Sequence, residues 1–319
     1  MKRIAYEAVC AKIEKVATIE DLQELFPDIP KPTIEGIYHR QKQIKGRRAI
    51  ASFNSLKTTH KELWTRFQME WEDSREGNEM ILIGMAKEYS NVPPCYLARL
   101  VVKGYTEHHN AQLKQSQGDY RILSDEENDG EKLFEDKEER RMEFMVYTKL
   151  YKEPLNIPHK GLRANVESCH RYDAHYSPAM DTYRSEIGLE YEAKLAIFLE
   201  ELSIPFLTET HMRTMKYART PDAILLEPIC IDGTITVKWI ESKAWFGDPG
   251  AHATYLRDQY WPYYNRFGPG LVIYWFGFVE EIVVGHQMQG VAVMDHFPDA
   301  SRIIRLRSRY EAAVKEARQ

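Results

Sequence analysis

The sequence predicts an α/β protein in which a helical, helix-turn-helix-like N-terminal region precedes an αβββαβ domain with a mixed sheet. Three observations carry the prediction. Two stretches ahead of Tyr105 each place a short helix, a turn and a longer helix in succession, with prolines marking the turn. From about Met180 the texture changes, and β-rich runs begin to alternate with helical ones. Within that later region Asp232-Gly233 separates two β-rich runs, the strongest short signal for a hairpin.

The first helical unit is assigned to residues 1–77. Thr18 is placed to cap a helix over Ile19–Phe26, with Asp21 in its first turn. Pro27-Asp28-Ile29-Pro30 breaks that helix. Pro32 stands where a new helix accepts proline, and the pattern continues from Thr33 to Ile44. The second unit, 78–124, repeats the plan. A helix from Glu79 to Tyr89 stops at Ser90-Asn91-Val92, and Pro93-Pro94 opens another that runs through Val102 and ends at Gly104.

Short helix, turn and longer helix is the plan of a DNA-binding helix-turn-helix. The basic string Arg40, Lys42, Lys45, Arg47 and Arg48 could then neutralise phosphates. Plain helical packing explains the same layout equally well, and the second unit offers only Arg99 and Lys103 on its longer helix. Residues 125–143 hold ten acidic and four basic side chains, a solvated linker with a helical second half. Residues 144–182 connect it to the α/β domain at 183–300, and 301–319 reads as a helical tail.

The domain itself opens with a helix, Tyr183–Leu202, whose Ile187, Tyr191, Leu195, Phe198 and Leu202 form one apolar stripe. Strand-like segments follow at Pro205–Thr208, Ala223–Ile231, Thr234–Trp245, Leu271–Phe278 and Val291–Asp295, with a helical stretch over His252–Arg266.

Bulk properties set the outer limits. The chain has 319 residues, 43% hydrophobic and 29% charged, enough for two or three domains with buried cores. Its longest apolar run, Leu271–Val279, is too short to span a bilayer, and the N-terminus lacks a hydrophobic signal region. No membrane partner is expected. Cys10, Cys95, Cys169 and Cys230 lie far apart, which argues against a disulfide framework or zinc ribbon and suits a reducing compartment. Cys169, His170 and His175 lack the usual ligand spacing for zinc. The net charge of −5 is about +1 once residues 125–143 are set aside, so it neither supports nor excludes nucleic acid.

Chemistry concentrates around the Asp232-Gly233 hairpin. A two-residue turn there puts Asp222 directly opposite Lys243, with Glu241 on the same face two residues back. Opposed Cβ atoms lie roughly 4.5–5.5 Å apart, so two carboxylates could hold a divalent cation, with the Ser242 carbonyl as a further oxygen. Such a cation neutralises a phosphoryl group and acidifies water, and the adjacent lysine orients that water or stabilises negative charge. Pro228 is the weak point, since it removes a ladder donor and marks a bulge or an edge. Singly, Glu-x-Lys and Pro-Asp are common, and an Asp–Lys surface pair is worth little. In the preceding helix, Glu192 lies beside the apolar stripe and is better placed than Glu190 to reach the sheet. Downstream, Gln259 and Tyr263 share one helical face; Gln259 could bond a phosphate or bound water, and Tyr263 could stack on a base or sugar.

These residues resemble a known family. Gly188-Leu189-Glu190-Tyr191-Glu192, Thr220-Pro221-Asp222, Trp239-Ile240-Glu241-Ser242-Lys243-Ala244, Phe246-Gly247-Asp248 and Asn265-Arg266-Phe267-Gly268-Pro269-Gly270 are similar to the codanin-interacting nuclease family, whose members carry a TPD motif. The likeness is dense from Arg184 to Phe278 and thinner upstream, at Asn91-Val92-Pro93-Pro94-Cys95-Tyr96-Leu97-Ala98-Arg99-Leu100. It implies a helix-turn-helix region followed by a PD-(D/E)XK, restriction-endonuclease-like domain akin to Holliday-junction resolvases. It also implies a codanin-like partner and a nuclear, or nuclear and cytoplasmic, setting; the cation that the two hard carboxylates call for is magnesium or manganese. The family's metal-site pattern carries onto Asp222 and Glu241, its lysine onto Lys243 and its helix glutamate onto Glu192. Gln259 and Tyr263 resemble the QxxxY motif of RecB-like nucleases.

The leading expectation is therefore a metal-dependent endonuclease on structured or branched DNA. The competing one is a non-catalytic module in which a nuclease-like fold binds nucleic acid or protein. DNA against RNA, and the oligomeric state, stay open at this point.

Overall fold

The computed structural model describes residues 1–16, 18–74, 77–117, 129–286 and 290–306. The chain forms two compact units: Met1–Gln41 together with Arg184–Gln319, and Lys42–Tyr183. This division departs from the segments read in sequence, because packing rather than helix content decides it.

The N-terminal helices are α1 (Arg3–Lys12), α2 (Ile19–Leu25) and α3 (Lys31–Ser55). Thr18 and Asp21 form a reciprocal capping box, each side chain accepting the other's backbone N–H at 3.1 and 3.0 Å. Val9, Leu22, Ile34 and Ile37 are buried together with Phe246 and Val279. These first 41 residues thus belong to the sheet-containing unit rather than to a separate domain over 1–77. Gly36 lies against Phe246 and Phe276, where an added Cβ would sit 3.0 Å from the Phe246 Cβ.

The helical unit continues with α4 (His60–Asp73), α5 (Ile81–Glu88), α6 (Pro94–Gln117), α7 (Asp129–Lys152) and α8 (Lys160–Tyr172). α6 runs straight through Gly104, which was expected to end it. The glycine serves a crossing instead: a Cβ there would fall 2.1 Å from the His60 carbonyl oxygen. The segment 144–182 is more than a connector, since Tyr147, Tyr151, Ile157, Leu162, Val166 and Cys169 are core residues of this unit. Buried Asn165 is satisfied there, accepting from Leu82 N and donating to the Asn78 and Gly161 carbonyls. The acidic stretch is helical from Asp129 onward, and its start lies outside the described residues.

The other unit is built from α9 (Pro178–Glu201), β1 (Phe206–Thr208), α10 (Glu209–Thr214), β2 (Ala223–Ile231), β3 (Ile235–Lys243), α11 (Pro249–Tyr255), α12 (Trp261–Phe267), β4 (Gly270–Tyr274), α13 (Glu281–His286), β5 (Val291–Met294) and β6 (Ile303–Arg305). The sheet order is β1-β2-β3-β4-β5, with β6 paired to β2. β1, β2 and β3 are antiparallel, while β3, β4 and β5 run parallel, so the sheet is mixed as expected. Every residue of β4 is buried, as a central parallel strand requires. On one face Leu195 and Leu199 of α9 pack with Ile229, Ile231, Ile240, Leu271 and Ile273. On the other, Trp239, Val272 and Tyr274 pack with Tyr260 and Tyr263.

Two further differences have local causes. A π-helical turn over Leu256–Tyr260 joins α11 to α12, just ahead of Pro262, whose missing N–H interrupts the α-helical ladder. The tail expected to be helical begins as β6, where Ile303 and Ile304 favour a strand and Arg302 and Arg305 pair with Asp232 and Glu227. Residues 307–319 lie outside the described part. Among the described residues no helix is long and apolar enough to cross a membrane.

Candidate active site

The hairpin register decides whether the carboxylates meet. Ile231 pairs with Ile235, not Thr234, so the turn holds three residues, with Asp232 and Gly233 at φ 51° and 68°. The register then shifts between Ile224 and Ile229, around Pro228, where β2 spends five residue steps against two on β3. The turn moves the pairing by one residue and the bulge by three in the opposite sense. The net slip is two, an even number, so the face is preserved. Ala223 pairs with Ile240, and one step further Asp222 reaches Glu241 rather than Lys243.

Hydrogen bonds tie Asp222 to the β3 backbone and Lys243 to Glu241. Ser242 N donates to Asp222 Oδ2 at 2.7 Å. Lys243 Nζ donates to Glu241 Oε1 at 2.5 Å and to Gln259 Oε1 at 3.3 Å. The Tyr255 ring lies under the same ammonium, 5.0 Å from its centroid. Ser242 Oγ accepts from Trp275 Nε1 at 2.8 Å, which fixes β3 between Glu241 and Lys243.

Electrostatics follow from burial. Glu241 is only 4% exposed, and burial pushes its carboxyl pKa up while Lys243 pulls it down. Burial and then the Glu241 charge raise Asp222 well above the ordinary aspartate value. Burial works to lower the lysine, but the charge and hydrogen bond of Glu241, with Asp222, outweigh it and the net shift is upward. Lys243 is therefore an ammonium at neutral pH.

Glu192, Glu209 and Asp222 line a cavity of about 360 Å³, together with Thr208 and Thr210. Burial raises the Glu192 carboxyl, and Glu209 and Glu241 raise it further. Glu209 escaped the sequence reading, which assigned no element between Thr208 and Ala223. Thr208 followed by Glu209 was the available signal: the Thr208 hydroxyl caps α10 and leaves the glutamate in its first turn. Glu209 Oε1 accepts from Arg213 Nη2 at 2.7 Å and from Thr220 Oγ1 at 3.0 Å.

Two predicted nucleic-acid contacts are corrected. Tyr263 is 6% exposed, packs edge-on against Trp239 and donates its hydroxyl to the Thr220 carbonyl at 3.2 Å. It holds the Thr220-Pro221-Asp222 turn and offers no face for a base. Arg40 is 8% exposed, and its Nε donates to Asp248 Oδ2 at 2.5 Å, so its charge is already spent inside the fold. Lys42, Lys45, Arg47 and Arg48 belong to the helical unit; the last three are exposed and Lys42 is half-buried.

Among the described residues no group of three or more His, Cys, Asp and Glu side chains is gathered to hold a metal ion. Cys169, His170 and His175 form no such group there. It leaves two adjacent carboxylates at the strand ends. One of their oxygens, Glu241 Oε2, is buried with no hydrogen-bond partner, which is the kind of atom a cation satisfies.

A family model described as a protein of unknown function with the TPD sequence motif matches residues 158–297. A Danio rerio protein named CDAN1-interacting nuclease 1 is 33% identical over 302 residues, 93% of this chain and 89% of its own. The Homo sapiens protein of that name is 30% identical, with 88% of each chain covered. The Mus musculus one is 40% identical over 153 residues, 48% of this chain and 54% of its own. No solved structure matches. With the TPD turn at Thr220-Pro221-Asp222 and similarity running through nearly the whole length, the chain belongs to the CDAN1-interacting nuclease 1 family.

Proposed function

We propose that this chain is a divalent-metal-dependent nuclease of the PD-(D/E)XK type, cleaving structured or branched DNA and working with a codanin-like partner in the nucleus or in nucleus and cytoplasm. One observation carries the reading: Asp222, Glu241 and Lys243 come together at the adjoining ends of β2 and β3, with Gln259 on the ammonium. The sheet around them, with α9 ahead of three antiparallel strands and a helix leading to a parallel fourth, follows the αβββαβ order of that fold class. The relatives' names supply both the nuclease and the CDAN1 partner.

Asp222 and Glu241 would hold magnesium or manganese, with the Ser242 carbonyl as a further oxygen. The donors are hard oxygens, as these ions require, and burial raises both acids, with the Glu241 charge adding at Asp222, a desolvation that a bound cation would offset. When bound, the ion supplies charge neutralisation at the phosphoryl group and acidifies water. The protein's own groups do the rest. Lys243, charged and braced by Glu241 and Gln259, donates to a phosphoryl oxygen as negative charge builds there. Glu192, its carboxyl raised by burial, lines a cavity with Asp222 and is placed to exchange a proton with water there.

The test is incubation of the purified protein with linear, flapped and four-way-junction DNA and with RNA, in magnesium, manganese or chelator. Wild type is expected to cut DNA only with metal, and Asp222→Ala and Glu241→Ala to lose about 100-fold or more. Equal cleavage by wild type and both variants would reject the site. No cleavage of any substrate would leave a binding module on a nuclease-like fold.

A further inference from the structure

With Tyr263 and Arg40 buried, the substrate contacts expected of them must come from elsewhere. The stretch that runs from within α10 into its connection to β2 reads His211-Met212-Arg213-Thr214-Met215-Lys216-Tyr217-Ala218-Arg219 and contains no acidic residue. Arg213, Lys216 and Arg219 are all exposed. The segment leaves the cavity wall at Thr210 and returns to it at Asp222, both of which line the cavity. The segment therefore borders the cavity that Asp222 lines.

The loop is held in place rather than loose. Lys216 adopts a left-handed φ of 61° where α10 ends, and Tyr217 N donates to the Met212 carbonyl at 3.0 Å. The Tyr217 ring stacks with Phe267 at 6.3 Å, and the Arg266 guanidinium lies 4.9 Å from the Tyr217 ring centroid. Arg219 Nη1 donates to the Asp258 carbonyl at 3.2 Å, and Thr220 is fastened by Glu209 and Tyr263. Arg257, bonded to the carboxylate of the same Asp258, adds a further exposed cation next to the Arg219 contact. Two carboxylates stand among them: Asp258, bonded by Arg257, and Glu209, bonded by Arg213.

We propose that the 211–219 loop, with Arg266, is a binding site for the phosphodiester backbone of nucleic acid, which it leads to the Asp222 cavity. The inference rests on the nuclease reading and names the surface by which it takes its substrate. Fixed cations spaced along an ordered loop contact phosphates without reading bases.

Fluorescence anisotropy with labelled duplex DNA, single-stranded DNA and single-stranded RNA, in calcium and across a salt series, tests it. The full-length protein is compared with Lys216→Gln/Arg219→Gln, with the single Lys216→Gln, which disturbs no hydrogen bond described above, and with Arg47→Gln/Arg48→Gln in the helical unit. The loop double variant is expected to bind about 10-fold more weakly, with the slope of log K against log salt reduced by about one to two, and the single variant by about half as much. The strand type showing the larger loss identifies the substrate class. Unchanged affinity and slope in both loop variants, with the loss appearing in Arg47→Gln/Arg48→Gln, would overturn the loop and leave the nuclease reading standing. No binding of any nucleic acid by wild type would overturn both.

Discussion

Replacing Arg40 by methionine should cost about 3 kcal/mol of stability and leave nucleic-acid binding untouched. Arg40 and Asp248 side chains are 9% and 6% exposed, so solvent screens their 2.5 Å contact very little. Removing one partner of a buried pair costs roughly 3–5 kcal/mol, mostly from the charge left behind. Asp248 keeps the Ala251 N–H, donated to its Oδ1 at 3.0 Å as the cap of α11, which places the cost at the low end. Methionine retains most of the arginine stem's apolar contact. Urea unfolding followed by circular dichroism measures the loss, with a fall in Tm of roughly 6–12 °C for a domain of this size. The double variant Arg40→Met/Asp248→Asn removes both charges, keeps the cap, and should recover about 2 kcal/mol of the loss. If Arg40→Met stayed within about 0.5 kcal/mol of wild type while the salt slope of DNA binding dropped by about one, Arg40 would be a phosphate ligand and the burial argument would fail.

Tyr263→Phe keeps the ring but deletes the donor to the Thr220 carbonyl; it should cost about 1 kcal/mol and lower cleavage about 10-fold without changing DNA affinity, whereas a stacking role would leave cleavage of bound substrate intact. Burial lowers the His159 pKa, and its Nδ1 accepts the Leu162 N–H at the start of α8. A base whose folded pKa lies below its unfolded value takes up protons on unfolding, so stability is lost as pH falls through about 6.5 and the loss levels off below the folded value. His159→Asn keeps a capping acceptor that does not titrate; melting temperatures between about pH 7.5 and 5.5 should fall less steeply than in wild type, and parallel curves would remove His159 from the account.

Much of the architecture follows from short-range rules. The Thr18 cap, the proline-opened helices and the β-rich runs at Ala223–Ile231 and Val291–Met294 are local events, set by neighbours within a few residues. The shared face of Asp222, Glu241 and Lys243 was legible for a subtler reason. The turn and the bulge each shift the register by an odd number, and the two odd slips combine to an even one. Either error alone would have turned Asp222 away. The alternation of a strand tells which faces agree, but not how many residues a bulge absorbs.

Burial is the quantity that sequence leaves undecided. Arg40 and Arg47 look alike as members of one basic string, yet one is sealed against Asp248, more than two hundred positions away, and the other stands in water. Tyr263 has the composition of a stacking residue until Trp239 and Thr220 close over it. Glu209 gains its place only because α10 brings it to Thr220. The order of helices and strands is written in patterns a few residues long. Which charges remain available for chemistry depends on contacts between distant segments, where desolvation decides, and those exist only once the chain has folded.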